Sequence, residues 1–203
     1  MGNLTNAEIM VKKIVFATHN LHKTQEVKSL LTPLYEVLNL VDIGCDTDIP
    51  ETGLTFAANA TLKSTYVVNN FGLDCFADDS GLEVEALNNE PGIFSARYSG
   101  QRGDALNMNF LLEKMKGITN RNARFKTVIS LIQNKQHYLF EGVIYGKLRT
   151  APTGIHGFGY DPIFEPDGYP ITFGEMELSE KNKISHRAIA MRKLIAFLQE
   201  EKL

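Results

Sequence analysis

Two β-rich runs, Arg124 to Ile132 and His137 to Lys147, are separated only by Gln133-Asn134-Lys135-Gln136. A connection that short joins antiparallel strands, because a parallel crossover needs a dozen residues or more. Near the start of the chain Ile14-Val15-Phe16-Ala17 is a short apolar run ending in Thr18-His19-Asn20, after which Val27, Leu30 and Leu31 recur at helical spacing. That reads as strand, turn and helix, with the helix stopped at Pro33 and a second strand over Tyr35 to Leu40. A chain that opens on strand, helix and strand and later carries a long hairpin folds around a mixed sheet. The expected class is therefore α/β, a mixed twisted sheet flanked by helices.

Between these ends, Thr55 to Phe71 carries Phe56, Ala60, Leu62, Tyr66 and Val67, with Thr52 or Thr55 available as a cap, and reads as a long helix ending near Gly72. Asp74-Cys75-Phe76-Ala77 follows as a brief strand that delivers Asp78-Asp79-Ser80-Gly81 to its end, and Leu82, Val84 and Ala86 then alternate with acids. Asp104 to Met115 is a helix with Leu106, Phe110, Leu111, Leu112 and Met115 as its apolar face. The final helix begins at Ser185, carries Ile189, Leu194, Ile195 and Leu198, and runs to the end. Residues 1–12 read as a disordered extension and 13–203 as one domain, without repeats or linkers.

The 203 residues suffice for one large domain or two intimate lobes. With 24 acidic and 21 basic side chains and no basic stripe, polymeric nucleic acid is a poor partner, whereas a small polyanion met by a few focused cations fits. Cys45 and Cys75 form no C-x-x-C pair, so they read as reduced thiols in a cytoplasmic protein. No stretch has the apolar length of a membrane span.

Several segments carry chemistry. In Thr18-His19-Asn20-Leu21-His22-Lys23 a strand hands over to a helix, whose first N–H groups and the Lys23 ammonium can hold a phosphate; a Thr/Asn helix cap with a solvated lysine is the simpler alternative. Glu51, just before a helix on which Asn59 and Lys63 lie four residues apart, places an acid, an amide and a cation along one rim; a solvated helical face is the alternative. The adjacent carboxylates of Asp78-Asp79-Ser80-Gly81 repel one another at a strand end unless a cation neutralises them. Hard oxygen ligands of this kind suit Mg²⁺, which binds through one or two carboxylates plus substrate phosphates; an Asp-rich turn is the competing reading. In Gly154-Ile155-His156-Gly157-Phe158-Gly159-Tyr160-Asp161-Pro162 a phenylalanine between glycines is free to lie against a base. Lys181, His186 and Arg187 converge on a helix start beside it.

These pieces resemble the inosine triphosphate pyrophosphatase family, the pyrophosphatases of non-standard purine nucleoside triphosphates. The matching segments are Phe16-Ala17-Thr18-His19-Asn20 with Lys23, Glu51-Thr52-Gly53-Leu54-Thr55-Phe56 with Asn59-Ala60, Ala77-Asp78-Asp79-Ser80-Gly81-Leu82, Pro91-Gly92-Ile93-Phe94-Ser95-Ala96-Arg97-Tyr98-Ser99-Gly100, Gly157-Phe158-Gly159-Tyr160-Asp161-Pro162 and Ser185-His186-Arg187. Each is weak alone, and the ordered set is specific. The resemblance implies two lobes with a central cleft, a cytoplasmic homodimer, and hydrolysis of inosine, deoxyinosine and xanthosine triphosphates to the monophosphate and pyrophosphate with Mg²⁺. Carried over by position, Glu51 and Asp79 hold the metal, and Asp79 also accepts the proton of the attacking water. Thr18, His19, Asn20, Leu21, His22, Lys23, Lys63 and Ser80 line the triphosphate path. Phe158, Gly159, Tyr160, Asp161, Lys181, His186 and Arg187 line the base and ribose pocket. His19 departs from the glycine that many relatives carry there, and its side chain is expected to narrow the phosphate loop. A pyrophosphatase for modified pyrimidine triphosphates and a non-hydrolytic nucleotide sensor are the alternatives.

Overall fold

The computed structural model describes residues 12–31 and 35–200. The expected stop at Pro33, residues 1–11 of the expected extension over 1–12, and residues 201–203 of the expected final helix lie outside the described residues, and Lys12 opens the first strand. In chain order the elements are β1 (Lys12–Phe16), α1 (Leu21–Leu31), β2 (Tyr35–Asn39), α2 (Phe56–Phe71), β3 (Cys75–Val84), β4 (Glu90–Pro91), a 3₁₀ segment (Gly92–Arg97) and α3 (Asp104–Lys114). Then come β5 (Asn122–Gln133), β6 (Gln136–Leu148), β7 (Phe164–Pro166), α4 (Leu178–Ile184) and α5 (His186–Glu200).

The strands form one mixed sheet in the order β2-β1-β3-β5-β6-β7, with β4 against β3. β1 runs parallel to β2 and β3, and the other pairs are antiparallel. The β5–β6 hairpin turns through Asn134 and Lys135, both with positive φ (51° and 65°), the conformation of a two-residue turn whose twist matches that of the strands.

Alternation along β1 builds two cores. Ile14 and Phe16 pack with Val27 and Leu31 of α1 and with Ala190, Met191, Leu194 and Leu198 of α5. Val15 and Ala17 face the other way, toward Val67 of α2, Leu40, Cys45 and Ile49. The first half of β3 repeats the pattern, Phe76 entering the first cluster and Cys75 and Ala77 the second. Burial on both faces explains why these strands read as near-continuous apolar runs. A third core joins Leu82, Val84, Phe125 and Leu148 to Leu111 and Met115 of α3 and to Tyr160, Ile163, Phe164, Phe173 and Met176. β3 and β5 run from the first two cores into the third, and the cleft opens where they meet.

Three expectations need correction. β3 does not end before Asp78 but continues to Val84, paired residue for residue with β5 from Ile132 to Ala123. That ladder satisfies the backbone through a stretch whose composition reads as a turn. The final helix begins at His186, with Ser185 as its cap and the separate helix α4 before it. On α3, Leu106 and Phe110 are exposed, while Leu111 and Met115 are buried. Both cysteines are free and buried. Among the described residues no helix is long and apolar enough to cross a membrane.

Candidate active site

Successive side chains on a strand point to opposite faces, so the neighbours Asp78 and Asp79 are separated by the sheet itself. They are therefore not a repelling pair, contrary to the expectation from their adjacency. Asp78 faces α1 and α5, where it accepts from Lys23 Nζ at 2.9 Å, Arg187 Nε at 3.2 Å and Ser80 Oγ at 2.8 Å. Burial opposes its charge, but Lys23, Arg187 and Lys63 outweigh burial and hold its pKa far below the usual carboxylate range. Asp79 faces α2, where its Oδ2 accepts from Asn59 Nδ2 at 3.0 Å and its Oδ1 from the Ser80 N–H at 2.9 Å. Here burial wins, helped by the charge of Glu51 and opposed by Lys63 and Lys23, and the pKa is raised.

The start of α1 is a capped helix end. Asn20 caps the helix by accepting from the Lys23 N–H at 3.1 Å, and Thr18 Oγ1 accepts from the Asn20 N–H at 3.1 Å. Lys23, however, is not a free surface lysine: its ammonium pairs with Asp78, and burial lowers its pKa despite that partner. The His19 ring turns to the Cys45 carbonyl, Nε2 to O 2.9 Å, and so ties the loop to the segment after β2.

On the opposite side of β3, α2 is capped by Thr55 Oγ1 at its start and by left-handed Gly72 at its end. This helix presents buried Asn59, which accepts from the Gly53 N–H at 2.8 Å while donating to Asp79, and so fastens the Glu51 loop to the Asp79 strand. One turn on, Lys63 Nζ meets Glu51 Oε1 at 2.5 Å. Burial disfavours the Lys63 charge, but Glu51, Asp79 and Asp78 more than offset it, and its pKa is raised.

The far end of the cleft is built by the 157–161 turn and by the α4–α5 junction. Gly157 has φ 75° and sits so close to Asp161 that a Cβ would lie 2.1 Å from its Oδ2; that carboxylate accepts from the Phe158 N–H at 2.8 Å. Lys181 of α4 donates to Asp161 Oδ2 at 2.7 Å and lies 4.8 Å from the Phe158 ring centre. The Arg187 guanidinium lies 5.7 Å from the same ring. His186 is buried and stacks on Phe125 with centroids 4.7 Å apart, and its Nδ1 has no hydrogen-bond partner among the described residues. Burial, with Arg187 and Lys181 adding to it, holds the His186 pKa well below the ordinary imidazole value, so the ring is neutral.

These groups line one cavity of about 740 Å³. Of the expected site residues, Thr18, His19, Asn20, Lys23, Glu51, Lys63, Asp79, Ser80, Phe158, Gly159, Tyr160, Asp161, Lys181, His186 and Arg187 reach its wall. Leu21 and His22 do not; Leu21 is exposed, and His22 stacks on Phe158 at 5.5 Å. Sequence reasoning missed Arg97 and Arg102, which also line the wall, because the 3₁₀ segment and the loop after it have neither helical nor strand period. Asp78, which a spacing argument cannot separate from Asp79, is absent from the wall.

The chain is 53% identical over 189 residues to the dITP/XTP pyrophosphatase of Flavobacterium psychrophilum, covering 92% of this chain and 99% of that one. It is 46% identical over 190 residues to the dITP/XTP pyrophosphatase of Porphyromonas gingivalis, covering 93% and 98%. Among solved structures, the Ham1 protein of Staphylococcus aureus superposes with a TM-score of 0.86 at 41% identity, covering 94% of this chain and all of that one. A HAM1 protein from Coxiella burnetii superposes with the same TM-score at 38% identity, covering 94% and 100%. Residues 14–197 match the Ham1 family, and the chain belongs to it.

Proposed function

We propose that the chain hydrolyses inosine, deoxyinosine and xanthosine triphosphates to the monophosphate and pyrophosphate. The observation that carries this reading is the unequal fate of Asp78 and Asp79. One is neutralised by the partly buried Lys23 and the buried Arg187, and the other is held by Asn59 and a backbone N–H on the cavity wall with its pKa raised. A carboxylate so placed orients a water and takes its proton. Relatives named dITP/XTP pyrophosphatase support the same reaction.

Glu51 and Asp79 fit Mg²⁺. Both are hard oxygen donors on the cavity wall, and the charge of one raises the pKa of the other, a conflict that a cation relieves. Mg²⁺ needs only one or two carboxylates from the protein and completes its shell with phosphate oxygens and water. When bound, the ion supplies charge neutralisation on the triphosphate. Thr18, Asn20 and Ser80, with the cations Lys23 and Lys63, orient the phosphates for in-line attack on the α-phosphorus. Phe158 offers its ring to the purine. Neutral His186, whose Nδ1 lacks a partner among the described residues, with Lys181 and Arg187 beside it, gives donors for a 6-oxo group. Adenine, with an amine there, leaves a buried donor unmatched, at a cost of about 1–3 kcal/mol.

A pyrophosphate-release assay over a panel of triphosphates with and without Mg²⁺ tests the reading. Release from inosine and xanthosine triphosphates that needs the metal is expected. Preference for a modified pyrimidine, or binding without turnover, would replace this function with one of the alternatives. A cytoplasmic homodimer belongs to the same proposal and rests on the family resemblance; light scattering tests the dimer.

A further inference from the structure

Arg97 ends the 3₁₀ segment, which is fastened at both sides. Ser95 Oγ accepts from the Leu82 N–H of β3 at 3.0 Å and donates to the Gly92 carbonyl at 2.7 Å, and Tyr160 Oη donates to the Ser95 carbonyl at 2.9 Å. Arg97 is thus carried by a braced stretch of backbone onto the wall of the cavity that Glu51, Lys63 and Asp79 also line. Its guanidinium lies 5.3 Å from the Phe94 ring centre, and its Nη1 lies 3.7 Å from Glu51 Oε2.

That separation is an ion pair but not a hydrogen bond. The other arginines each donate at least one hydrogen bond: Arg102 to Asp48, Arg121 to three carbonyls, Arg124 to Glu83, Arg149 to Pro170, Arg187 to Asp78 and Arg192 to Lys183. Arg97 donates none among the described residues, although a guanidinium carries five N–H donors in a fixed fork. The single carboxylate it faces is shared with Lys63, whose ammonium sits at 2.5 Å on the other oxygen. Glu51 is thus engaged most closely by Lys63, and the Arg97 fork is left with its N–H donors uncommitted on a side chain that is 39% exposed and open to a ligand.

We propose that Arg97 is a further substrate-binding residue, whose guanidinium receives the pyrophosphate end of the triphosphate. This rests on the pyrophosphatase reading. A planar fork matches two phosphate oxygens at once, and charge-assisted pairs of that kind are about twice as strong as neutral ones. Glu51 faces the guanidinium as an ion pair only, which leaves its N–H donors for a polyphosphate.

Calorimetric titration of inorganic pyrophosphate and, separately, of inosine monophosphate tests this on the wild type, Arg97→Ala and Arg97→Lys, each in EDTA and in Mg²⁺. Arg97→Ala is expected to weaken pyrophosphate about ten- to a hundredfold, and Arg97→Lys, which keeps the charge and loses the fork, by less. Monophosphate affinity and the thermal midpoint should stay at their wild-type values. Unchanged pyrophosphate affinity in Arg97→Ala, an equal loss for the monophosphate, or a wild type without pyrophosphate affinity would overturn the assignment. A wild type that releases no pyrophosphate from inosine triphosphate instead removes the pyrophosphatase reading, and the two failures are read from separate experiments.

Discussion

Asp78 and Asp79 are adjacent in the chain and opposite in role, which makes them the sharpest comparison at the residue scale. Asp78→Asn leaves Lys23 and Arg187 buried without their shared countercharge, and breaking a buried pair this way costs about 3–5 kcal/mol. Asp79→Asn keeps the shape and removes the proton acceptor, so turnover should fall by about 10²–10⁴-fold while the protein stays folded. Urea unfolding beside pyrophosphate release separates the two; a swap of these phenotypes contradicts the assignment. His186 gives a pH prediction. Its folded pKa is depressed, so below the unfolded value of about 6.5 the unfolded chain takes a proton that the folded one refuses. Stability is therefore held above that value and lost below it, at up to about 1.4 kcal/mol per pH unit. Unfolding curves from pH 8 to 5 should show this slope, and His186→Asn should remove it; a slope that persists in the variant assigns it to other groups.

At the scale of elements, legibility followed period. β1, α1, α2 and the β5–β6 hairpin were readable because their apolar spacing, the Thr55 cap and the Asn134-Lys135 turn all agree locally. The far half of β3 is not legible locally because Asp-Asp-Ser-Gly is turn-like by composition, and the ladder to β5 keeps it extended. α4 was invisible since its seven residues, Leu178-Ser179-Glu180-Lys181-Asn182-Lys183-Ile184, bury only Lys181, whose partner Asp161 is twenty residues away. Most residues of the candidate site were nevertheless found, through family motifs. What local pattern could not show was which face each occupies, as with Asp78 against Asp79. The α5–β6 contact gives an element-scale test. A Cβ on Gly142 would lie 2.1 Å from the His186 carbonyl oxygen and 2.6 Å from the Ala190 nitrogen, so Gly142→Ala must push back the start of α5. We expect a loss of about 1–3 kcal/mol and a raised KM for the triphosphate, because His186 and Arg187 move with the helix. Wild-type stability together with wild-type KM would show that α5 does not depend on this contact.

For the whole molecule, the sheet has a mechanical consequence. β3 and β5 continue from the cores under α1, α2 and α5 into the core beside α3, and the cavity lies at that passage. A ligand held from both sides stabilises the folded chain by mass action, by about 2.7 kcal/mol at a hundredfold excess over Kd. Inosine monophosphate with Mg²⁺ should therefore raise the thermal midpoint, and adenosine monophosphate should raise it less; equal shifts would remove base reading from this cavity. The most direct test of the account is phosphorus NMR of inosine triphosphate incubated with the protein and Mg²⁺. Inosine monophosphate and pyrophosphate are expected in equal amounts, at least about tenfold faster than the corresponding products from ATP. Orthophosphate with inosine diphosphate, or equal rates on ATP, would contradict it.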